Sequence, residues 1–454
     1  MVRTAARLIA EYSSSLSFRD LPEQVVREVV RRFVDSLGVM YGSHGSEPLE
    51  AARKAAERFA SGGPSSLFGS KTKSSPDWAA FVNGVAVRYL DFNDTYLSRE
   101  ALHPSDMIPG LLALAEALGA TGRDLIASIA VAYEVALALA DTATLRDRGY
   151  DHVAYIAIGA AAGASRLLGL DPERAEQAVN IAGVNAAALR QTRAGELSMW
   201  KGCAAANASR HGVFAALLAS NGMTGPSPIF EGEMGFWRVV AGGMHQLPRL
   251  GGVDGEPFRL LRTSIKRWPV EYHSMSAVEA AIRIKERIGS AAIESIEIAT
   301  FTVSHKIIAK DPEKWRPRTR ETADHSLPYI TVRTLLDGDI WTDSYTPDKL
   351  SDPRLLELMS RTRVEVDPRY DEIYPEAVPN RVSVRTSDGR TVTEEVIYPS
   401  GHFRNPMTDR QLSEKFLRLA SPVLGRERAE ELHGLAWRLP DLDDLSRITS
   451  HFAL

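Results

Sequence analysis

Four short segments of this chain gather residue types that move protons and hold anions. The first reads Asp91-Phe92-Asn93-Asp94-Thr95-Tyr96, followed by His103-Pro104-Ser105-Asp106. A helix is expected to end there in short acidic and polar side chains. Eleven residues separate Asp91 from His103, which places an imidazole just before the next helix start. Asp94, Ser105 and Asp106 are ordinary capping types. Capping accounts for those three but not for Asp91 or His103, and an imidazole suits proton transfer near neutral pH. The second segment is Tyr150-Asp151-His152, at the start of the chain's most Ala/Gly-rich helix. Asp151 can serve there as a cap, and His152 reads equally well as a buried structural histidine or as a site residue.

The third segment runs from Arg190-Gln191-Thr192-Arg193 through Glu196 to Lys201-Gly202-Cys203. A charge run is usually a solvated face. These cations are flanked by Ala-rich core helices, which favours an anion site, while Cys203 reads as a small packing residue. The fourth is Lys266-Arg267-Trp268-Pro269-Val270-Glu271-Tyr272-His273-Ser274. It falls at the expected junction of two domains, where binding clefts are common.

Several chemistries lack their signatures. There is no G-x-S-x-G elbow, phosphate loop or G-x-G-x-x-G turn. No H-x-x-x-H or C-x-x-C spacing points to a metal, so neither a metal nor a cofactor is expected. The single cysteine precludes a disulfide within the chain and a cluster held by several cysteines. His44, His245, His305, His433 and His451 lie in polar or irregular contexts and read as structural or exposed.

The elements that must position these segments follow from periodicity. Pro22 opens a helix with the apolar stripe Val25, Val26, Val29, Val30, Phe33, Val34 and Leu37, and Gly42 is its expected stop. Ser75-Pro76-Asp77 starts a second helix through Trp78, Phe81, Val85 and Leu90. Further helices are expected near 106–118, 122–141, 151–168, 172–190 and 201–221. Their small residues, extreme in Gly159–Ala164, read as close packing between helices. After Leu260 the pattern changes. Ile293–Val303, Arg363–Val366, Arg381–Arg385 and Thr391–Ile397 are strand-like, with Ser387-Asp388-Gly389-Arg390 as a hairpin turn. Val278–Ile288 and Ala323–Leu336 read as helices. The fold class is therefore mainly α with an inserted α+β domain. A large helical domain spans 1–262 and 403–454, and a smaller α+β domain spans 263–402.

With 454 residues, 44% hydrophobic and 25% charged, the chain is long enough for two globular domains. A net charge of −4 gives no electrostatic case for nucleic acid or an anionic membrane. Val153–Ser165 and Gln177–Leu189, taken as the most apolar stretches, are too short and too rich in Ala and Gly to span a bilayer. No signal-peptide pattern opens the chain, and a cytoplasmic location is expected.

In this order, the segments resemble the MmgE/PrpD family, which includes 2-methylcitrate dehydratase and cis-aconitate decarboxylase. The carriers are RYLDFNDTY (88–96) with HPSD (103–106), RGYDHVAY (148–155), WKGCAAANASRHG (200–212), KRWPVEYHSMSAVEAA (266–281) and ADHSLPY (323–329). The resemblance spans nearly the whole chain. It implies a helical domain and an α+β lid with the site in the cleft between them, a homodimer, and a small polycarboxylate as substrate. It also places Asp91, Thr95, His103, Lys201, Lys266 and Tyr329 in the pocket. Two departures set this chain apart from decarboxylases. Those look like His-Pro-Pro where this chain has Tyr150-Asp151-His152-Val153, and they carry a His where this chain has Glu271, with His273 two further on.

Both departures favour dehydration, most simply of 2-methylcitrate to 2-methyl-cis-aconitate and water. Such a reaction needs a base for the carbon proton, an acid for the leaving hydroxyl and positive charge for the carboxylates. The expected catalytic set is His103 oriented by Asp91, His152 or His273 as the partner acid or base, and Lys201 as the anion anchor. Thr95, Arg193, Lys266, Arg267, Glu271 and Tyr329 are the expected substrate-binding residues. The alternatives are cis-aconitate decarboxylation, a related isomerisation or epimerisation, and a non-catalytic ligand-binding protein on the same fold.

Overall fold

The protein is described from a computed structural model covering residues 3–195 and 197–454; Met1, Val2 and Glu196 lie outside the described residues. The chain is mainly α-helical with a few strands. It forms two compact units. The first comprises the segments 1–194, 199–263 and 408–454; the second comprises 195–198 and 264–407.

The first unit is built almost wholly of helices. Glu23–Gly42 follows Pro22, and its stripe is buried at Val25, Val29, Val30, Phe33, Val34 and Leu37, with Val26 half-buried. Pro76–Arg88 begins with proline in its first turn, as the Ser-Pro-Asp start requires. Gly122–Thr142, Val153–Leu167 and Ala204–Ser220 are apolar almost all round and are largely buried, the pattern of helices inside a core. Their glycines mark the closest approaches. A methyl group at Gly212 would sit 2.4 Å from the carbonyl oxygen of Ala157, and one at Gly159 would sit 2.7 Å from that of Ala132. A side chain there would force the axes apart. The longest apolar helix is Gly122–Thr142, not either of the stretches singled out from sequence. By length and composition its 21 residues reach across a bilayer, but 94% of its apolar window is buried inside the protein. A hairpin of β1 (Ser61–Ser66) and β2 (Lys73–Ser74) completes the unit.

One helix is shorter than its sequence pattern. Periodicity runs from 172 to 190, but the helix is Pro172–Val184. Beyond it the backbone of 188–190 pairs with the segment before His152. The amide of Asp151 donates to Ala188 O at 2.8 Å and that of Arg190 to Gly149 O at 2.9 Å. Competing backbone bonds end the helix and bring Arg193 beside Asp151.

The second unit holds a four-stranded sheet of β3 (Ile293–Thr300), β4 (Thr362–Val366), β5 (Asn380–Thr386) and β6 (Thr391–Val396), in the order β4-β3-β5-β6. β3 and β4 are parallel; the other pairs are antiparallel. The turn between β5 and β6 is the Asp388-Gly389 hairpin, with Gly389 at φ 86°. β3 stops at Thr300, and the apolar residues after it enter the helix Thr302–Ile308 instead. The helices Met275–Ile288 and Leu327–Asp337 lie in the same unit.

Candidate active site

In the first unit, the end of the helix Pro76–Arg88 delivers a buried ion network. Asp91 adopts φ 50°, and Asp254 is the other non-glycine residue with positive φ among those described. This conformation is unfavourable for a residue with a Cβ and often marks a functional site. The Arg88 guanidinium donates to Asp91 Oδ1, and Lys201 Nζ lies 3.3 Å from Asp91 Oδ2. All three side chains are buried. Lys201 comes from the short helix Met199–Gly202, so residues distant in sequence meet at one carboxylate.

The loop from Asp91 to His103 is held by its own bonds. Tyr96 and Leu102 exchange backbone hydrogen bonds of 2.9 and 3.1 Å, and the Tyr96 hydroxyl donates to Asp141 at 2.8 Å. Asp94 accepts from the amide of Ser105 at 2.9 Å and from the Tyr133 hydroxyl at 2.9 Å. It thus caps the turn Pro104–Met107, but from a fully buried position. Burial pushes its carboxyl above the ordinary range despite nearby Arg32. Asp106 accepts from Asn93 at 2.8 Å and lies 3.8 Å from Arg88 Nε; burial pushes its pKa up to about 7. Burial, rather than charge alone, separates these carboxylates from ordinary surface caps.

The contacts described for the His103 ring nitrogens are made by Nδ1. This atom lies 2.7 Å from Asp94 O and 2.8 Å from Thr95 Oγ1. A carbonyl oxygen only accepts, so Nδ1 carries the proton and Nε2 is the exchangeable atom. The group that orients the ring through Nδ1 is thus the Asp94 backbone with Thr95, whereas the bonds described for Asp91 run to Arg88 and Lys201. The His152 ring stands 5.7 Å from the His103 ring at 69°. His152 Nδ1 lies 3.0 Å from Asp151 Oδ1, and Arg193 Nε lies 3.0 Å from each Asp151 oxygen. Burial works against ionisation of Asp151, but Arg193 and His152 outweigh it and hold the carboxyl far below its usual range. Burial lowers the His152 imidazole, with Arg193 adding to the effect and Asp151 opposing it. A cavity of about 540 Å³ in the same unit is lined by Val153, Ala157, Ala188, Ala204, His211 and Phe214 among others, and by none of the expected catalytic residues.

The second unit holds its own cluster. Glu271 Oε1 lies 2.8 Å from His273 Nδ1, and Glu271 Oε2 accepts from the His273 amide at 2.9 Å. His273 Nε2 lies 3.4 Å from the Tyr374 hydroxyl, and its ring meets Phe301 edge-on at 5.2 Å. The Glu271 amide donates to Asp324 O at 2.8 Å, and Asp324 Oδ1 lies 2.5 Å from His325 Nδ1. Burial raises the Glu271 carboxyl, but His273, His325 and Lys266 together bring it below its ordinary range. Lys266 is buried. Arg267 donates to Ser400 Oγ at 3.2 Å and stacks on Trp268. Tyr329 is fully buried and donates to Ser344 O at 2.6 Å.

The first unit therefore brings together Asp91, Thr95, His103, His152, Arg193 and Lys201, and the second groups Lys266, Glu271 and His273. Arg88, Asp94, Asp151 and His325 were not singled out as site residues from sequence. Arg88 opens the RYLDFNDTY motif as the last residue of its helix, three residues before Asp91, close enough in sequence for the two side chains to pair where the chain turns. Asp94 and Asp151 look like caps, because residue type does not reveal burial.

Comparison with known proteins follows the same two-part division. A family profile described as the MmgE/PrpD N-terminal domain matches residues 7–247, and one described as the MmgE/PrpD C-terminal domain matches residues 268–440. A cis-aconitate decarboxylase of Mus musculus is 29% identical, across 99% of this chain and 93% of its own length. 2-Methylcitrate dehydratases of Cupriavidus necator and Escherichia coli K12 are each 31% identical, across 74% of this chain and 73% of their own length.

Proposed function

The chain belongs to the MmgE/PrpD family, and on that premise we propose that it is a hydro-lyase for a small tricarboxylate, converting 2-methylcitrate to 2-methyl-cis-aconitate and water. The observation that carries the reading is the edge-on ring pair His103 and His152, in the same unit as the buried Lys201–Asp91–Arg88 network. Water elimination needs two proton-transfer groups: one takes the proton from carbon, and the other delivers a proton to the departing hydroxyl. Two imidazoles supply both when one enters neutral and takes the carbon proton at Nε2 while the other enters as imidazolium and gives its Nε2 proton to the hydroxyl. Lys201 supplies positive charge for a substrate carboxylate, and Asp91 and Arg88 hold that lysine in place.

The single cysteine favours acid–base chemistry by side chains over a cluster held by several cysteines. Activity is accordingly expected to survive exhaustive chelation; its loss and return on metal addition would overturn that part. In the second unit, His273 with Glu271 is proposed as a further proton-handling pair, and Lys266 and Arg267 as anion-binding groups. A homodimer is proposed, with about twice the chain mass of 49.8 kDa expected by light scattering.

Decarboxylation of cis-aconitate is the second reading, favoured by the 99% coverage of this chain by a decarboxylase. Asp151-His152-Val153 and Glu271 depart from the decarboxylase pattern. The test is incubation of the purified protein with 2-methylcitrate, citrate and cis-aconitate, with products identified by NMR. Dehydration keeps the carbon count; release of carbon dioxide from cis-aconitate without water elimination from 2-methylcitrate would replace the first reading by the second. Binding of all three without turnover would leave a ligand-binding protein.

A further inference from the structure

We infer that Asp151 and Arg193 are positioning residues that fix the tautomer and orientation of His152, making its Nε2 the proton-transfer atom. The inference rests on the reading in which His152 is the acid–base partner of His103, and it deepens that reading by naming what holds the partner.

The geometry is a buried chain of three side chains. Asp151 Oδ1 stands 3.0 Å from His152 Nδ1, and Arg193 Nε stands 3.0 Å from both oxygens of the same carboxylate. An ionised carboxylate only accepts, so the Nδ1 that faces it carries the hydrogen. The proton-accepting lone pair of the neutral ring is then at Nε2. That atom is buried and has no hydrogen-bond partner among the described residues. A buried ring nitrogen without a partner is costly, and rare in a purely structural histidine; a substrate that occupies the position removes the cost.

Capping does not explain Asp151. The helix that follows it, Val153–Leu167, has no side-chain capping bond. The carboxylate is spent on Arg193 and His152. His152 is the next residue in the chain, and Arg193 is brought in by the backbone pairing of Gly149–Asp151 with Ala188–Arg190, beyond the helix that ends at Val184. The groups facing the His152 ring are Asp151, Arg193, Glu100 and the His103 ring. Glu100 is already engaged, by the amides of Leu145 at 2.6 Å and Arg146 at 3.1 Å. Arg193 thus has a role through Asp151 that the expectation of direct substrate binding did not include.

The test uses the full-length protein with ¹⁵N-labelled histidine rings, with His152 assigned by its loss in His152→Gln. The wild-type ring is expected as the Nδ1–H tautomer. In Asp151→Asn, Arg193 retains the remaining oxygen and the amide nitrogen faces the ring, so the tautomer reverses. Turnover then falls by about 10²–10⁴-fold with KM within about threefold. Adding Asp151→Asn to His152→Gln produces no further loss. The low-pH limb of kcat/KM moves to lower pH in Asp151→Asn, where an attractive anion is lost. It moves to higher pH in Arg193→Gln, where a repelling cation is lost.

An Nε2–H tautomer in the wild type, or an Asp151→Asn protein that keeps both tautomer and turnover, would overturn the inference. So would an Arg193→Gln change confined to KM, which would return Arg193 to substrate binding. If Asp151→Asn does not fold, the wild-type tautomer and Arg193→Gln decide alone. The tautomer is read without substrate. A wild-type protein that dehydrates nothing therefore sinks the proposed function and leaves this inference to its own result.

Discussion

At Asp91 the chain holds φ 50°, a left-handed conformation that costs a non-glycine residue on the order of 1–2 kcal/mol. The return is a carboxylate shared by Arg88 and Lys201, all of them buried. Asp91→Asn keeps the shape and removes the charge, leaving two buried cations under-compensated. Stability is expected to fall by about 3 kcal/mol, read from urea denaturation; an unchanged midpoint would show that the remaining neighbours suffice. His103→Gln is expected to lower kcat by about 10²–10⁴-fold with little change in urea midpoint. Near wild-type turnover would remove His103 from the chemistry. At this scale the sequence was informative where residue type is diagnostic. Asp91 and His103 stand out because capping does not require them, and Lys201 because Ala-rich core helices flank its run of cations and the family resemblance places it in the pocket. Asp94 and Asp151 do not, because a capping aspartate and a buried positioning aspartate have the same letters around them. Their difference lies in burial and in partners such as Tyr133 and Arg193, 39 and 42 residues away.

Helix packing around the site depends on where glycine is required and where it is not. Gly212 lies in Ala204–Ser220, where an added methyl group would meet Ala157 O at 2.4 Å. Gly434 lies in Arg426–Trp437 with nothing within 4 Å of such a group. The same substitution should therefore have opposite signs. Gly212→Ala is expected to destabilise by about 1–3 kcal/mol through overpacking. Gly434→Ala is expected to stabilise by roughly 0.5–1 kcal/mol, through better helix propensity and a less flexible unfolded chain. Thermal unfolding of the two variants checks both, and equal shifts would refute the packing account. Periodicity located most helices because their buried stripes are long, as in Glu23–Gly42. It failed at ends decided by distant backbone. The helix expected to reach 190 stops at Val184 where the chain pairs with Gly149–Asp151, and β3 stops at Thr300 although its apolar pattern continues.

On the scale of the whole molecule, the first unit is closed by residues from both ends of the chain. The helix Asp409–Leu424 carries Lys415, whose Nζ lies 2.6 Å from Asp35 Oδ1, donates to Phe92 O at 2.8 Å and sits 3.7 Å above the Phe92 ring. That one ammonium joins the C-terminal segment, the N-terminal helix Glu23–Gly42 and the loop that begins at Asp91. Burial raises the Asp35 carboxyl, Lys415 opposes it, and the resulting pKa is about 6. A folded value above the unfolded one, near 4, means that the folded state binds the extra proton. Stability from this group is therefore greatest at low pH and falls by about 1.4 kcal/mol per unit as pH rises between the two values. Lys415→Met removes the opposing charge, raises the folded value further and extends that fall to higher pH. The expected loss is about 3–5 kcal/mol at pH 8 and smaller at pH 5, where Asp35 accepts a proton instead. Asp35→Leu combined with Lys415→Met removes both charges and should recover most of the loss at pH 8. Urea denaturation of the two variants at both pH values measures this. A deficit that is the same at pH 5 and pH 8, or a double variant no better than Lys415→Met alone, would mean that Lys415 holds the chain ends together by its bond to Phe92 and its packing on that ring, not by neutralising Asp35.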